Sequence, residues 1–186
     1  KKSFSNIYLA TGYKHQKIKD YVKRIKNFSN VKVVNTGLNT MTGGRVLKLK
    51  KYLNNFDQII VTYGDGLSNV NLKKLIQYHN RSRGIGTITA VKPFSNFGEL
   101  FLTKKNRVIK MSEKEILDNR WINGGFFIFK SNIFKYLKSN TSVLEKSPLE
   151  SLAKKRQLKA FMHKGFWYSI DTKRDKENLE SISKKN

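Results

Sequence analysis

An aspartate held between two glycines is the first residue in this sequence whose setting suits chemistry. Asp65 follows the apolar, β-branched residues 59–62 and stands between Gly64 and Gly66. A short apolar run is typical of a strand covered on both faces, and ligands of open α/β sheets bind at the carboxyl ends of such strands. The glycines let a ligand approach the backbone, and a carboxylate is a hard oxygen ligand for a Mg²⁺ ion that carries substrate phosphates. Taken alone, Gly-Asp-Gly is more often an ordinary turn.

A second aspartate, Asp171, ends the apolar and aromatic residues 166–170. The simpler interpretation of this position is helix capping, because Thr172 and Asp175 have the spacing of a helix start. Capping and chemistry are compatible, since Thr172 can cap the helix while Asp171 points back towards the strand ends.

Three other segments have polar residues that could meet a ligand. The sequence Thr-Gly-Gly-Arg at residues 42–45 precedes a predicted helix, whose first N–H groups could bind a polar ligand, although a connecting loop is the simpler interpretation. Glu113 and Lys114 could meet a phosphorylated sugar, but such a pair is more usually a solvated surface ion pair. The Asn-Gly-Gly of residues 123–125 interrupts the most hydrophobic stretch of the chain where no packing rule requires it.

Apolar periodicity predicts the strands and helices that position these residues. Strands are predicted at residues 7–12, 31–34, 58–63, 86–91, 121–129 and 158–161, with a hairpin of residues 99–103 and 107–111. Helices are predicted at 16–27, from 46 to 53, after an N-cap at Asn69 or Asn71, from a capping box at Ser147 to about 156, and at the carboxyl end. The alternation indicates one α/β domain with a mixed sheet.

The composition of the chain bears on whether it binds nucleic acid, binds metal or spans a membrane. The 186 residues have a net charge of +25, no cysteine and three histidines that form no metal-ligand cluster. A basic chain suggests nucleic-acid binding, but the basic residues are dispersed and no known binding motif accompanies them. This pattern favours solvated lysines that also attract small polyphosphates. No apolar run could cross a membrane, and the absence of cysteine is compatible with a reducing cytoplasm, where we expect the protein.

Several of these segments together resemble the sugar-phosphate nucleotidyltransferases, and within them the glucose-1-phosphate cytidylyltransferase branch. The matching segments are residues 35–37 with 41–45, 62–66, 123–127, and 165–167 with 171–175. Thr-Gly-Gly-Arg and Gly-Asp-Gly are more similar to the cytidylyl branch than to the thymidylyl, uridylyl or guanylyl branches. The resemblance covers almost the whole chain and implies a Rossmann-like three-layer α/β sandwich with a mixed, mostly parallel sheet. It also implies transfer of the cytidylyl group of CTP to glucose 1-phosphate, giving CDP-glucose and pyrophosphate.

The resemblance assigns roles to individual residues. Asp65 and Asp171 match the two catalytic aspartates that hold Mg²⁺ on the nucleotide phosphates. The nucleotide is expected to contact Thr42, Gly43, Arg45 and Gly64. The sugar phosphate is expected to contact Gly98, Glu113, Lys114, Asn123 and Gly124. The family usually has proline after its Glu-Lys pair, whereas Glu115 follows the pair here, so the local loop can differ.

One part of the family pattern is missing at the front of the chain. The family opens with a strand, a Gly-Gly-x-Gly-Thr-Arg loop and a Lys-Pro segment, which bind the triphosphate. We therefore expect residues 1–186 to be an amino-terminally truncated domain that is inactive alone.

Two rival hypotheses and one question of assembly stay open. A metal-dependent glycosyltransferase would be expected to have an Asp-x-Asp pair, which Asp65 does not form. A non-catalytic remnant that binds nucleic acid or regulates is favoured by the charge. A homo-oligomer is open as well, since the sequence does not give the oligomeric state.

Overall fold

Strands and helices alternate in the computed structural model, which describes residues 4, 6–93, 98–112 and 120–183. The strands are β1 (Ile7–Thr11), β2 (Val31–Asn35), β3 (Gln58–Thr62), β4 (Gly66–Ser68), β5 (Gly86–Val91), β6 (Glu99–Leu102), β7 (Val108–Ser112), β8 (Ile122–Lys130), β9 (Leu158–His163) and β10 (Trp167–Ser169). The helices are α1 (His15–Arg24), α2 (Thr42–Lys48), α3 (Lys50–Leu53), α4 (Leu72–Arg81), α5 (Ser147–Lys154) and α6 (Lys173–Ser183), with short 3₁₀ helices at Lys26–Phe28 and Ser131–Tyr136.

The pairing of the strands confirms an α/β fold with a mixed sheet. Strands β1 and β2 pair in parallel, whereas β4 with β10 and β6 with β7 pair antiparallel. The hairpin of β6 and β7 was predicted from the sequence and is confirmed.

The first of two compact units comprises Lys1–Ile59, Gly84–Gly86 and Phe129–Leu158. Its parallel pair runs in register from Ile7 opposite Val31 to Thr11 opposite Asn35, so both strands end at the same edge. Helix α1 packs on β2 and buries Val22. The other buried apolar side chains of this unit include Leu49, Ile133, Leu144 and Leu152.

The second unit comprises Ile60–Arg83, Thr87–Ile128 and Lys159–Asn186. It contains most of a four-stranded sheet in the order β3, β8, β5, β9. Strand β8 buries Phe127 and Ile128 completely, and α4 buries Leu75. The short pair of β4 and β10 runs from Trp167 opposite Ser68 to Ser169 opposite Gly66.

The ends of several helices differ from the sequence predictions. Asn71 caps α4, because its side chain accepts a hydrogen bond from the amide of Lys74, as predicted. The capping box at Ser147 is wrong: α5 already includes Ser147, and no side chain caps it. The helix predicted from residue 46 is two short helices divided at Leu49. Strand β4 was missed because three residues beginning with glycine have no detectable period.

None of the helices in the described ranges is long and apolar enough to span a membrane.

Candidate functional site

Asp65 lies in the second unit, where the chain bends between β3 and β4. The residue is exposed, and it immediately precedes Gly66, the first residue of β4. A side chain added to Gly64 or Gly66 would meet no protein atom within 4 Å among the described residues. Packing within the protein therefore does not require these two glycines, and the space beside Asp65 is open to a ligand.

Asp171 follows the strand that pairs with β4. The amide of Ile170 donates a hydrogen bond to the carbonyl oxygen of Asp65, with a nitrogen–oxygen distance of 2.9 Å. This bond continues the ladder beyond Ser169 and Gly66. Directly opposed residues of an antiparallel pair have Cα atoms about 4.5–5.5 Å apart. Ile170 is therefore opposite Asp65, and Asp171 is the next residue along the chain. The two aspartates are close in the fold, although they are far apart in sequence.

The carboxylates of Asp65 and Asp171 have no hydrogen bond or ion pair with any other residue that the structure describes. The chain has 38 basic and 13 acidic residues, so cationic partners are abundant. No group of three or more metal-binding side chains occurs among the described residues. Two carboxylates nevertheless suit Mg²⁺, which keeps several waters and takes its other ligands from substrate phosphates. The donor set at this site fits that ion.

Helix capping at the start of α6 is performed by Asp175 and Thr172. Oδ2 of Asp175 accepts hydrogen bonds from the hydroxyl of Thr172 at 2.7 Å and from its amide at 2.8 Å. These bonds, together with a third from the amide of Asp171, hold the pKa of Asp175 below its usual value. The predicted cap is confirmed, and it uses the backbone of Asp171 without using its carboxylate.

The Asn-Gly-Gly segment of residues 123–125 lies near the start of β8, where Gly125 has a positive φ. This segment, called the Asn123 turn below, contacts a tyrosine of the Asp65 segment. Nδ2 of Asn123 donates to the hydroxyl of Tyr63 at 3.3 Å, and its Oδ1 accepts from the amide of Gly125 at 2.8 Å. Gly125 has φ +76°, and a Cβ there would lie 2.6 Å from Cδ2 of Tyr63. Both the backbone conformation and the close approach require glycine at this position.

The same turn contacts the strand that leads to Asp171. Nε1 of Trp167 donates a hydrogen bond to the carbonyl oxygen of Gly124 at 2.8 Å. The structure thus brings the predicted Asn123 and Gly124 to the segments that contain both aspartates. Tyr63 and Trp167 were missed as site residues, although their aromatic side chains two and four positions before the aspartates were a usable signal.

Gly98, another predicted sugar-phosphate residue, is not joined to this cluster. Gly98 is exposed directly before β6, and no hydrogen bond between described residues links it to the Asn123 turn. Glu113 and Lys114 lie outside the described residues.

Thr42 begins α2 in the first unit, and its hydroxyl is engaged on both sides. It donates to Oε2 of Glu145 at 2.7 Å and accepts from the amide of Leu144 at 2.9 Å. A Cβ at Gly43 would lie 2.9 Å from the carbonyl oxygen of Ser142, and one at Gly44 would lie 2.1 Å from that of Asn140. Helix α2 packs closely against the backbone of Asn140 and Ser142, and this packing requires glycine at both positions.

Arg45 contacts the ends of both strands of the parallel pair. Its Nη1 donates to the hydroxyl of Thr36 at 2.6 Å, and that hydroxyl donates to the carbonyl oxygen of Thr11 at 2.8 Å. Lys48 donates to the carbonyl oxygen of Thr36 at 2.7 Å. A Cβ at Gly12 would lie 2.9 Å from Nη2 of Arg45, so the guanidinium lies directly over this glycine. Thr36 and Lys48 were not predicted as site residues. Thr36 belongs to the matching segment 35–37, but a lone hydroxyl and one lysine among many do not by themselves indicate a role.

Comparison with known proteins gives consistent results. The family described as nucleotidyl transferase matches residues 1–175. The glucose-1-phosphate cytidylyltransferases of Salmonella typhimurium and Salmonella typhi are each 36% identical over 163 residues, which are 88% of this chain and 63% of those proteins. The chain therefore spans less than two thirds of the length of these relatives. The crystal structure of HddC from Yersinia pseudotuberculosis has a TM-score of 0.69 at 23% identity, over 97% of this chain and 80% of that one. This last likeness concerns the fold.

Proposed function

The chain belongs to the nucleotidyl transferase family, and from this premise we propose that the protein transfers the cytidylyl group of CTP to glucose 1-phosphate. The products are CDP-glucose and pyrophosphate. In this reaction a phosphate oxygen of glucose 1-phosphate attacks the α-phosphorus of CTP, forming one phosphorus–oxygen bond while the bond to pyrophosphate breaks. The similarity to two cytidylyltransferases over 88% of the chain supports the choice of nucleotide and sugar.

The main support for the proposal is that three segments of the second unit contact one another: the Asp65 segment, the Asn123 turn and the strand that leads to Asp171. The amide of Ile170 bonds to the carbonyl of Asp65, and the Asn123 turn contacts both Tyr63 and Trp167. In our proposal Asp65 and Asp171 hold Mg²⁺, and Asn123 and Gly124 bind the sugar phosphate. Bound there, Mg²⁺ supplies neutralisation of phosphate charge and Lewis-acid polarisation. The chain's own residues would supply orientation, and positioning together with charge neutralisation accounts for the acceleration in phosphoryl transfer.

The nucleotide is assigned to Thr42, Gly43 and Arg45 in the first turn of α2, and to Gly64. The hydroxyl of Thr42 already donates a hydrogen bond to Glu145. It can therefore offer the base only a remaining lone pair, so the backbone of Thr42 and Gly43 is the better candidate for direct contact. Arg45 donates a hydrogen bond to the hydroxyl of Thr36, and we propose that this contact shapes the nucleotide site.

Gly98, Glu113 and Lys114 complete the proposed sugar-phosphate site. The lysine would neutralise the phosphate, and the carboxylate of Glu113 would accept hydrogen bonds from sugar hydroxyls. These assignments rest on the family resemblance, with Glu115 in the place of the usual proline as the one departure. The cytoplasm, where both proposed substrates and Mg²⁺ occur together, is the proposed compartment.

The proposal is tested by incubating the purified full-length protein, in place of residues 1–186 alone, with glucose 1-phosphate, Mg²⁺ and each of CTP, UTP, dTTP and GTP. Pyrophosphate release and the mass of the nucleotide sugar are measured. We expect CDP-glucose from CTP and far slower turnover of UTP and dTTP, because cytosine has an N4 amino donor where they have an O4 acceptor. A buried mismatch of this kind costs about 1–3 kcal/mol. Equal turnover of dTTP would move the protein to another branch of the family. Salt-sensitive binding of oligonucleotides without any turnover would favour the nucleic-acid alternative.

A further inference from the structure

Tyr63 and Trp167 link the Asn123 turn to the two aspartates. We propose that these two aromatic residues are positioning residues, which set the place of the sugar phosphate relative to the metal carboxylates. The inference rests on the proposed function, and it goes beyond it by assigning a role in sugar-phosphate binding to two side chains to which the resemblance assigned none.

The tyrosine connects the turn to Asp65, which lies two residues further along the chain. Its hydroxyl accepts from Nδ2 of Asn123 at 3.3 Å, and its ring lies against Gly125. The ring also packs edge to face on Phe127, with centroids 5.6 Å apart, and Phe127 is completely buried. The ring of Tyr63 is therefore held by the core on one side and holds the turn on the other.

The tryptophan connects the turn to Asp171, which lies four residues further along the chain. Its indole N–H donates to the carbonyl oxygen of Gly124 at 2.8 Å. Trp167 is the first residue of β10, and its backbone is paired with Ser68 of β4. The position of the Gly124 carbonyl is thus tied to the ladder that ends at Asp171.

These contacts connect the Asn123 turn, the Asp65 segment and the Asp171 segment to one another. The turn bonds to Tyr63 and Trp167, the chain leads from these residues to Asp65 and Ile170, and the amide of Ile170 bonds to the carbonyl of Asp65. The turn itself contains two glycines, one of them with positive φ, so it has little intrinsic preference for its conformation. The two aromatic side chains supply the restraint that the glycines lack. A misplacement of about 1 Å in a reacting group can cost a factor of about 100 in rate.

The test compares three purified variants with the wild-type protein. Trp167→Phe removes the indole N–H and keeps an aromatic ring, and Tyr63→Phe removes only the hydroxyl. Tyr168→Phe is the matched control, because the hydroxyl of Tyr168 has no hydrogen bond to a described residue although it is adjacent to Trp167. Calorimetry gives the dissociation constants for glucose 1-phosphate and for CTP separately, and thermal unfolding shows whether each variant is folded.

We expect Trp167→Phe to weaken glucose 1-phosphate binding about tenfold, which corresponds to ~1.4 kcal/mol, and to leave CTP binding unchanged. Tyr63→Phe should weaken the same constant several-fold, and Tyr168→Phe should change neither constant. Wild-type affinity for glucose 1-phosphate in both folded variants would overturn the inference, as would an equal loss for both ligands. If Trp167→Phe does not fold, Tyr63→Phe decides between these outcomes. A wild-type protein that binds neither ligand would instead contradict the proposed function, so the two failures are distinguishable.

Discussion

The amide of Ile170 donates a hydrogen bond to the carbonyl oxygen of Asp65 at 2.9 Å. This bond joins the ends of β4 and β10, and it makes neighbours of two aspartates that are separated by more than half of the chain. Neither carboxylate is paired with a cation among the residues that the structure describes, although the chain is strongly basic. In our proposal these two carboxylates, on adjacent segments, hold one divalent cation together.

Gly44, beside the predicted site residue Gly43, and the predicted site residue Gly64 should respond differently to alanine. Gly44→Ala places a Cβ 2.1 Å from the carbonyl oxygen of Asn140, whereas Gly64→Ala meets no described atom within 4 Å. We expect Gly44→Ala to lower the free energy of unfolding by about 2 kcal/mol or more, because backbone cannot move aside cheaply. Gly64→Ala should unfold at the wild-type urea concentration. Equal stability of the two variants would contradict the assigned packing role of Gly44.

The side chain of Thr36 should contribute strongly to the stability of the first unit. Its side chain is almost fully buried, accepts from Arg45 and donates to Thr11. Thr36→Val keeps the volume and removes both hydrogen bonds, so we expect a loss of about 1–3 kcal/mol in the free energy of unfolding, measured in urea. Thr141→Val is the control, because that exposed hydroxyl bonds to Ser139 and to no other described residue. Its loss should change stability by less than about 0.5 kcal/mol. A loss for Thr36→Val that does not exceed that of the control would be the contrary result.

The cap of α6 should make stability depend on acid. Hydrogen bonds from Thr172 hold the pKa of Asp175 below its usual value near 3.8, so the folded state favours the charged form. The resulting stabilisation is present above that value and is lost as the pH falls through the lower pKa of the folded state. We expect Asp175→Ala to lower the thermal midpoint at pH 6, and the difference from wild type to shrink below about pH 4. A difference that stays constant down to pH 2 would count against this cap.

Much of the fold could be predicted because its strands are apolar and its helices are periodic. The hairpin of β6 and β7 and the caps at Asn71 and Thr172 were correctly predicted, since each depends on local residue types. Ser147 failed as a cap because its spacing matched a capping box while the helix begins at Ser147 itself. Local sequence patterns do not show at which residue a helix begins in the folded protein.

The candidate site was predictable only in part, because its contacts are between segments far apart in sequence. Gly-Asp-Gly and the second aspartate were visible as short motifs, but the pairing of β4 with β10 that brings them together joins residues about a hundred positions apart. The close packing of Gly44 on Asn140 and the bond from Trp167 to Gly124 have the same long-range origin. Such contacts depend on the folded arrangement, and no local period encodes them.

The most direct test of this account is the initial rate of CDP-glucose formation against Mg²⁺ concentration. It is measured in the full-length protein for the wild type, for Asp65→Asn, for Asp171→Asn, for the double variant, and for Asp57→Asn as an exposed control. Each single variant at the site should lose a factor of about 10²–10³ or more in rate, and Asp57→Asn should keep the wild-type rate. Because both carboxylates hold one ion in this account, the double variant should be hardly slower than the slower single variant. A wild-type rate and Mg²⁺ requirement in either single variant, or a double variant whose loss is the product of the two single losses, would contradict the shared metal site.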